Sequence, residues 1–137
     1  MRGSRLSDCE IMIMQCVWAV DYDISSLEIQ KAMLNKFQKK YERTTIATFL
    51  KKLKDKNFLM SYQKGVVVYY RALVSEKEFQ KEEAQLFKNT IFEGSFSKLL
   101  SAFAESEELT QEEADQIKEL VDKNKKNGWR IWDNSLN

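Results

Sequence analysis

Histidine is absent from this 137-residue sequence, cysteine occurs twice and glycine four times. Without histidine there is no Ser-His-Asp or Cys-His nucleophile and no imidazole-ligated metal. Cys9 and Cys16 match neither a CxxC redox pair nor a zinc spacing; they fall on one helical face and read as buried core thiols. The few glycines build no GxGxxG or Walker A loop. No apolar run approaches the roughly 18 residues that a membrane span needs. The first apolar cluster carries Asp8 and Glu10 with no cleavage-type motif after it, so no secretory leader is expected and the cytoplasm is the expected compartment. Nothing in the spacing of carboxylates, tyrosines or lysines proposes another reaction. The expectation is a non-enzyme with no cofactor and no metal.

What is present is the composition of a folded chain, 43% apolar and 31% charged, long enough for one domain or for a small domain with an appendage. The net charge of +1 conceals an asymmetry. Residues 1–75 hold 13 Lys/Arg against 7 Asp/Glu, a balance of +6, and residues 76–137 hold 9 against 14, a balance of −5. Between Lys31 and Lys64, 10 basic residues face only Glu42 and Asp55, a local excess of +8. A polyanion is the partner such a patch attracts, and nucleic acid is the commonest in a cytoplasm.

Helix starts are written as Ser/Thr followed three residues later by Glu: Ser7 with Glu10, Ser25 with Glu28, Ser75 with Glu78, Thr110 with Glu113. Each such cap stabilises a helix start by about 1 kcal/mol. They predict helices at about 8–20, 26–37, 76–93 and 111–124. The first, "DCEIMIMQCVWAV", is apolar nearly all round and should be packed on several sides. A further helix, from about Thr44 to Lys56, is read within "RTTIATFLKKLKDKNF", where Ile46, Phe49, Leu50 and Leu53 form one buried stripe and Thr44, Thr45, Thr48, Lys51, Lys52 and Asp55 turn away from it. Then the period drops to about 2: "FLMSYQ" and "VVVYYRAL", joined by "KG" with the turn glycine Gly65, read as a two-stranded hairpin. Three helices and a hairpin, with the basic excess centred on the third helix, is the order of a winged helix-turn-helix.

The second half reads as helical throughout, with Phe79, Phe87, Ile91, Phe96, Leu99, Leu100, Phe103, Ile117, Leu120 and Val121 as its large apolar groups. So short a stretch cannot bury them all in a core of its own. A second copy of the chain is the expected cover, and folding back onto the first domain is the alternative. The fold class is therefore mainly α with a small β-hairpin. A winged helix-turn-helix domain (5–74) is followed by a helical dimerisation region (75–124) and a polar tail (125–137) that should fray despite Trp129, Ile131 and Trp132.

Several motifs also resemble a known family. "LSDCEIMIMQCVW" resembles the opening of the penicillinase repressors (BlaI/MecI/CopY type), and "TTIATFLKKLKDKNFL" resembles their recognition helix. "KGVVVYYRALVSEKEF" resembles their wing and linker, and "SFSKLLSAFAESEELTQEEADQIKEL" their C-terminal helices. The likeness runs over residues 6–122 or so. It implies a bacterial homodimeric transcriptional repressor that binds an inverted repeat in double-stranded DNA. By that resemblance Thr45 and Thr48 stand on the recognition helix, where hydroxyls can bond to bases or phosphates and methyls can touch a thymine methyl. Lys52 stands where the family often has Arg, replacing a bidentate grip by a point charge. Tyr41 stands at a family Trp and can reach a phosphate through its hydroxyl, and Lys51 and Lys64 are further phosphate partners. Arg43 and Thr44 complete the expected DNA-binding set.

The departures are specific. Val66 occupies the wing position where the family carries Arg. Asn57 replaces a glycine at the end of the third helix, where asparagine tolerates the left-handed conformation required. The Asn-Phe bond at which β-lactam-responsive members are cut corresponds to Ala102-Phe103, and the CxC cluster of copper-responsive members has no counterpart after Cys16. Neither an inducer nor a regulatory protease is indicated. The competing expectation is a winged-helix interaction adaptor without sequence-specific DNA binding.

Overall fold

The computed structural model describes residues 5–106 and 109–125. The elements follow in the order α1 (Asp8–Trp18), β1 (Ile24–Ser25), α2 (Ser26–Phe37), α3 (Arg43–Asp55), β2 (Leu59–Lys64), β3 (Val67–Ala72), α4 (Glu76–Ile91), α5 (Phe96–Glu105) and α6 (Gln111–Lys125). The chain divides into two compact units after Gln80, inside α4. From residue 126 onward the expected frayed tail lies outside the described residues.

The capping boxes behave as local chemistry requires. Ser7 accepts from the Glu10 amide while Glu10 accepts from the Ser7 amide, and Ser25 with Glu28 repeats the exchange. Thr110 and Glu113 do the same at α6, and Ser75 Oγ accepts from the Glu78 amide. The chain reverses after α3 at Asn57, whose φ of +64° is left-handed. There the Phe58 amide reaches back to Leu53 O at 2.9 Å and the Asn57 amide to Lys54 O at 3.0 Å, which satisfies carbonyls the helix end would leave open. Gly65, at φ +66°, takes the first position of the two-residue turn between β2 and β3.

The expected two-stranded hairpin is a three-stranded antiparallel sheet of order β1-β3-β2. Ile24 pairs with Tyr70 and Ser25 with Tyr69, so the residues just before α2 also hold one edge of the wing to the helices. In the first unit the core is built from Ile13, Met14, Ile29, Met33, Ile46, Leu50, Leu53 and Leu59, all essentially inaccessible. Around it lie Leu6, Cys16, Val17, Ile24, Phe58, Val74 and Phe79.

Three readings need correction here. Cys16 is buried, but Cys9 is only half-buried, because it stands at the first turn of α1, beside Tyr41. Phe49 is half-buried rather than part of a sealed stripe: it lies at the edge of the core, edge-on to Tyr41 with ring centroids 5.8 Å apart. Phe79 is already covered within one chain. Its ring meets Trp18 at 5.4 Å and Phe58 at 5.8 Å, while the Trp18 indole donates to Val74 O at 2.8 Å, so the start of α4 is anchored to the first unit.

Candidate nucleic-acid interface

The second helix of the α2–α3 pair is held from behind by Ile46, Leu50 and Leu53, all buried. A helix fixed along one stripe must present the opposite one, and on α3 that face is polar and cationic. Arg43, Thr44, Thr48, Lys51 and Lys52 are exposed, and Thr45 is half-buried at the flank. Ala47 is exposed among them. Neither its size nor its polarity marks it in sequence, and it was not among the expected contact residues.

Each end of α3 is set by contacts distant in sequence. At the start, Gln30 Nε2 donates to Tyr41 O at 2.8 Å, and the Tyr41 hydroxyl is hydrogen-bonded to Cys9 Sγ at 3.1 Å. That bond to the thiol raises the Tyr41 pKa above the ordinary phenol value, with burial adding to it. The hydroxyl expected to meet a phosphate is thus engaged with α1, and donating to a phosphate requires the thiol to give the proton in that pair. At the far end, Lys56 Nζ donates to Glu10 Oε1 at 2.9 Å and to Arg5 O at 3.1 Å. Glu10 is 2% exposed, and its second oxygen, Oε2, has no hydrogen-bond partner among the described residues. Burial pushes this carboxyl up, but the bonds from Lys56 and Ser7 outweigh it and hold the pKa below the usual carboxylate range.

On the exposed face itself the interactions are weak. Lys51 bonds Asp55 at 3.1 Å with both side chains largely in water, a pair contributing about 0.3–0.5 kcal/mol and easily exchanged for a phosphate. The Lys52 ammonium lies 6.0 Å from the centre of the Phe49 ring. Thr48 Oγ1 donates to Thr44 O at 3.0 Å, inside the helix.

The wing adds a second surface. Met60, Tyr62 and Lys64 of β2 pair with Arg71, Tyr69 and Val67 of β3, so these six share one face of the sheet. Tyr62 stacks on Tyr69 at 5.7 Å. Asp23 accepts two bonds from Arg71, at 2.9 and 2.7 Å, and one from the Tyr62 hydroxyl. These bonds, Arg71 first and Tyr62 second, lower the Asp23 pKa to about 2. The clamp joins the turn before β1 to both wing strands. Nothing in the local pattern around Asp23 announces it, because its partners lie 39 and 48 residues away. Lys64 and Val66 are exposed at the tip, Val66 at 94%. A groove of about 360 Å³ lies between α2, α3 and β3, bordered by Arg43 and Thr44.

In the second unit, Phe87, Ile91, Phe103 and Leu120 are exposed, Phe96, Leu99, Leu100 and Ile117 are half-buried, and Val121 is buried. No residue of α5 is buried, although the helix carries Phe96, Leu99, Leu100 and Phe103. Among the described residues no helix is long and apolar enough to cross a membrane, and no group of three or more His, Cys, Asp or Glu could hold a metal.

A helix pair whose second member turns a cationic, threonine-bearing face outward, followed by a β-wing, defines a winged helix-turn-helix protein. Over residues 6–123 the chain matches the penicillinase repressor family, and it belongs to that family. Its relatives include the methicillin resistance regulatory protein MecI of Staphylococcus aureus (strain N315), 25% identical over 118 residues that make up 86% of this chain and 94% of the relative. The penicillinase repressor of Staphylococcus aureus is 24% identical over 119 residues, 85% of this chain and 90% of its own. That of Bacillus licheniformis is 23% identical over 121 residues, 88% and 92% of the two chains.

Proposed function

We propose that the protein is a transcriptional repressor that acts as a homodimer on an inverted-repeat operator in double-stranded DNA, reading bases with α3 and holding phosphates with the wing. The observation that carries this reading is the exposed face of α3, where Thr44, Thr48, Lys51 and Lys52 stand in water over a buried backing of Ile46, Leu50 and Leu53. The surrounding +8 charge between Lys31 and Lys64 supplies the attraction for phosphates. The names of the relatives, penicillinase repressor and methicillin resistance regulatory protein, support the same reading. For the dimer, the support is the apolar face of α5, no residue of which is fully buried, together with exposed Phe87, Ile91, Phe103 and Leu120. Two copies make avidity, since each half-site alone offers one small interface.

The test is a mobility-shift titration of wild type beside Thr48→Ala and Lys51→Ala, with sedimentation of Leu100→Asp. On this reading Thr48→Ala costs about 1 kcal/mol or more and alters sequence preference, while Lys51→Ala weakens all sequences nearly alike. Leu100→Asp places a charge in an apolar interface and gives monomers. Val66, fully exposed where the family has Arg, favours a second reading as an interaction adaptor. An adaptor shows neither substitution pattern.

A further inference from the structure

What the reading face of α3 can do to a base pair depends on the groups it has left to offer. Thr48 is exposed, but its one hydroxyl proton is used within the helix on Thr44 O at 3.0 Å. With that branch of Cβ held against the preceding turn, the methyl branch is the one free to meet a partner. Ala47, also exposed, offers only a methyl. The run from Thr44 to Thr48 contains no Arg, Lys, Asn, Gln, Asp or Glu. Bidentate recognition of guanine or adenine needs one of those side chains, so the centre of the helix cannot provide it. Cations stand only at its margins, with Arg43 at the first position, Lys51 beside Asp55 and Lys52 against Phe49. Of the groups on the major-groove edges, the one that a methyl-bearing surface fits is the C5 methyl of thymine.

We infer that α3 selects its half-site by apolar contact between the methyl groups of Thr48 and Ala47 and the methyl groups of thymines, with the flanking cations confined to phosphates. The inference rests on the reading that α3 enters the major groove. It makes A·T pairs the discriminating positions of the half-site, and it makes Ala47 a specificity-determining residue. Enlarging that side chain would lift the helix away from the thymine edge.

The experiment uses the full chain and a duplex recovered by binding selection, in which each thymine is replaced in turn by deoxyuridine. That exchange removes the C5 methyl and leaves every hydrogen-bonding group in place. At one or two positions per half-site the dissociation constant should rise about fourfold, the effect of one buried methyl group. Thr48→Ser keeps the hydroxyl and removes the methyl. It should lose a similar factor on the thymine duplex and nothing further on the deoxyuridine duplex at the matching position. Thr48→Val keeps the methyl shape without the hydroxyl and should retain the wild-type preference. Tolerance of deoxyuridine at every position, or loss of the preference in Thr48→Val, would overturn the inference while leaving a sequence-specific repressor standing. A chain that retains no specific duplex refutes both.

Discussion

Replacing Lys56 by Met keeps most of the aliphatic stem and removes the ammonium that faces Glu10 at 2.9 Å. The carboxylate is then left 2% exposed, with the Ser7 amide at 2.8 Å on Oε1 and no partner on Oε2 among the described residues. Removing one member of a buried pair costs about 3–5 kcal/mol, and the partial exposure of Lys56 puts the expected loss near the lower end, about 3 kcal/mol. With m of about 1.5 kcal/mol/M, the urea midpoint of the first unit should fall by about 2 M. The loss should also depend on pH. In the wild type the Glu10 pKa is held below its ordinary 4.5, so its contribution is full above that value and fades as pH falls through the folded pKa. In Lys56→Met the burial that pushes the carboxyl up loses its main opponent, so the folded state gains on protonation. The gap between variant and wild type should therefore narrow from neutral pH toward pH 4. Urea unfolding followed by circular dichroism at both pH values measures it. A midpoint shift under about 0.3 M, or a shift independent of pH, would refute the assignment of Lys56 as the counter-charge.

Asp23→Asn should destabilise the wing at neutral pH, and the difference should shrink as pH falls below the ordinary carboxyl value of 3.8 and vanish as it passes the folded value of about 2; acid-unfolding curves of the two proteins report it. Gly65→Ala meets no atom within 4 Å but must hold φ at +66°, so it should cost about 1 kcal/mol in urea unfolding from backbone strain alone. Lys51→Ala should flatten the dependence of log K on log salt by about 0.9 for the phosphate contact removed, measured by anisotropy across a salt series.

Helix starts were legible because a capping box is a three-residue device, complete within the sequence window that writes it. Helix α2, expected at 26–37, is found at Ser26–Phe37. Helix α3 is legible for a similar reason, since its apolar stripe and its polar face repeat within 13 residues. What pairs across long separations was not legible. Ser25 reads as a helix cap and nothing local marks Ile24; only their pairing with Tyr69 and Tyr70 makes the two a strand. Glu10 read as a cap, with no local sign that Lys56, 46 residues on, shares its oxygen. Phe79 has the same helical period as the apolar groups after it, so periodicity does not separate the residue that seals the first core from those of the second unit. On the exposed face of α3, the outward position of Thr48 is legible from the helical period, but the direction of its hydroxyl, donated to Thr44 O, is not.

Recognition of duplex DNA by a dimer through α3 can be checked by incubating purified protein with fragments of its own genome at low and high salt and sequencing what is retained. The expected result is a narrow set sharing an inverted repeat, with retention falling steeply between about 50 and 200 mM salt. Retention without a shared sequence, or none at 50 mM or so, would contradict it.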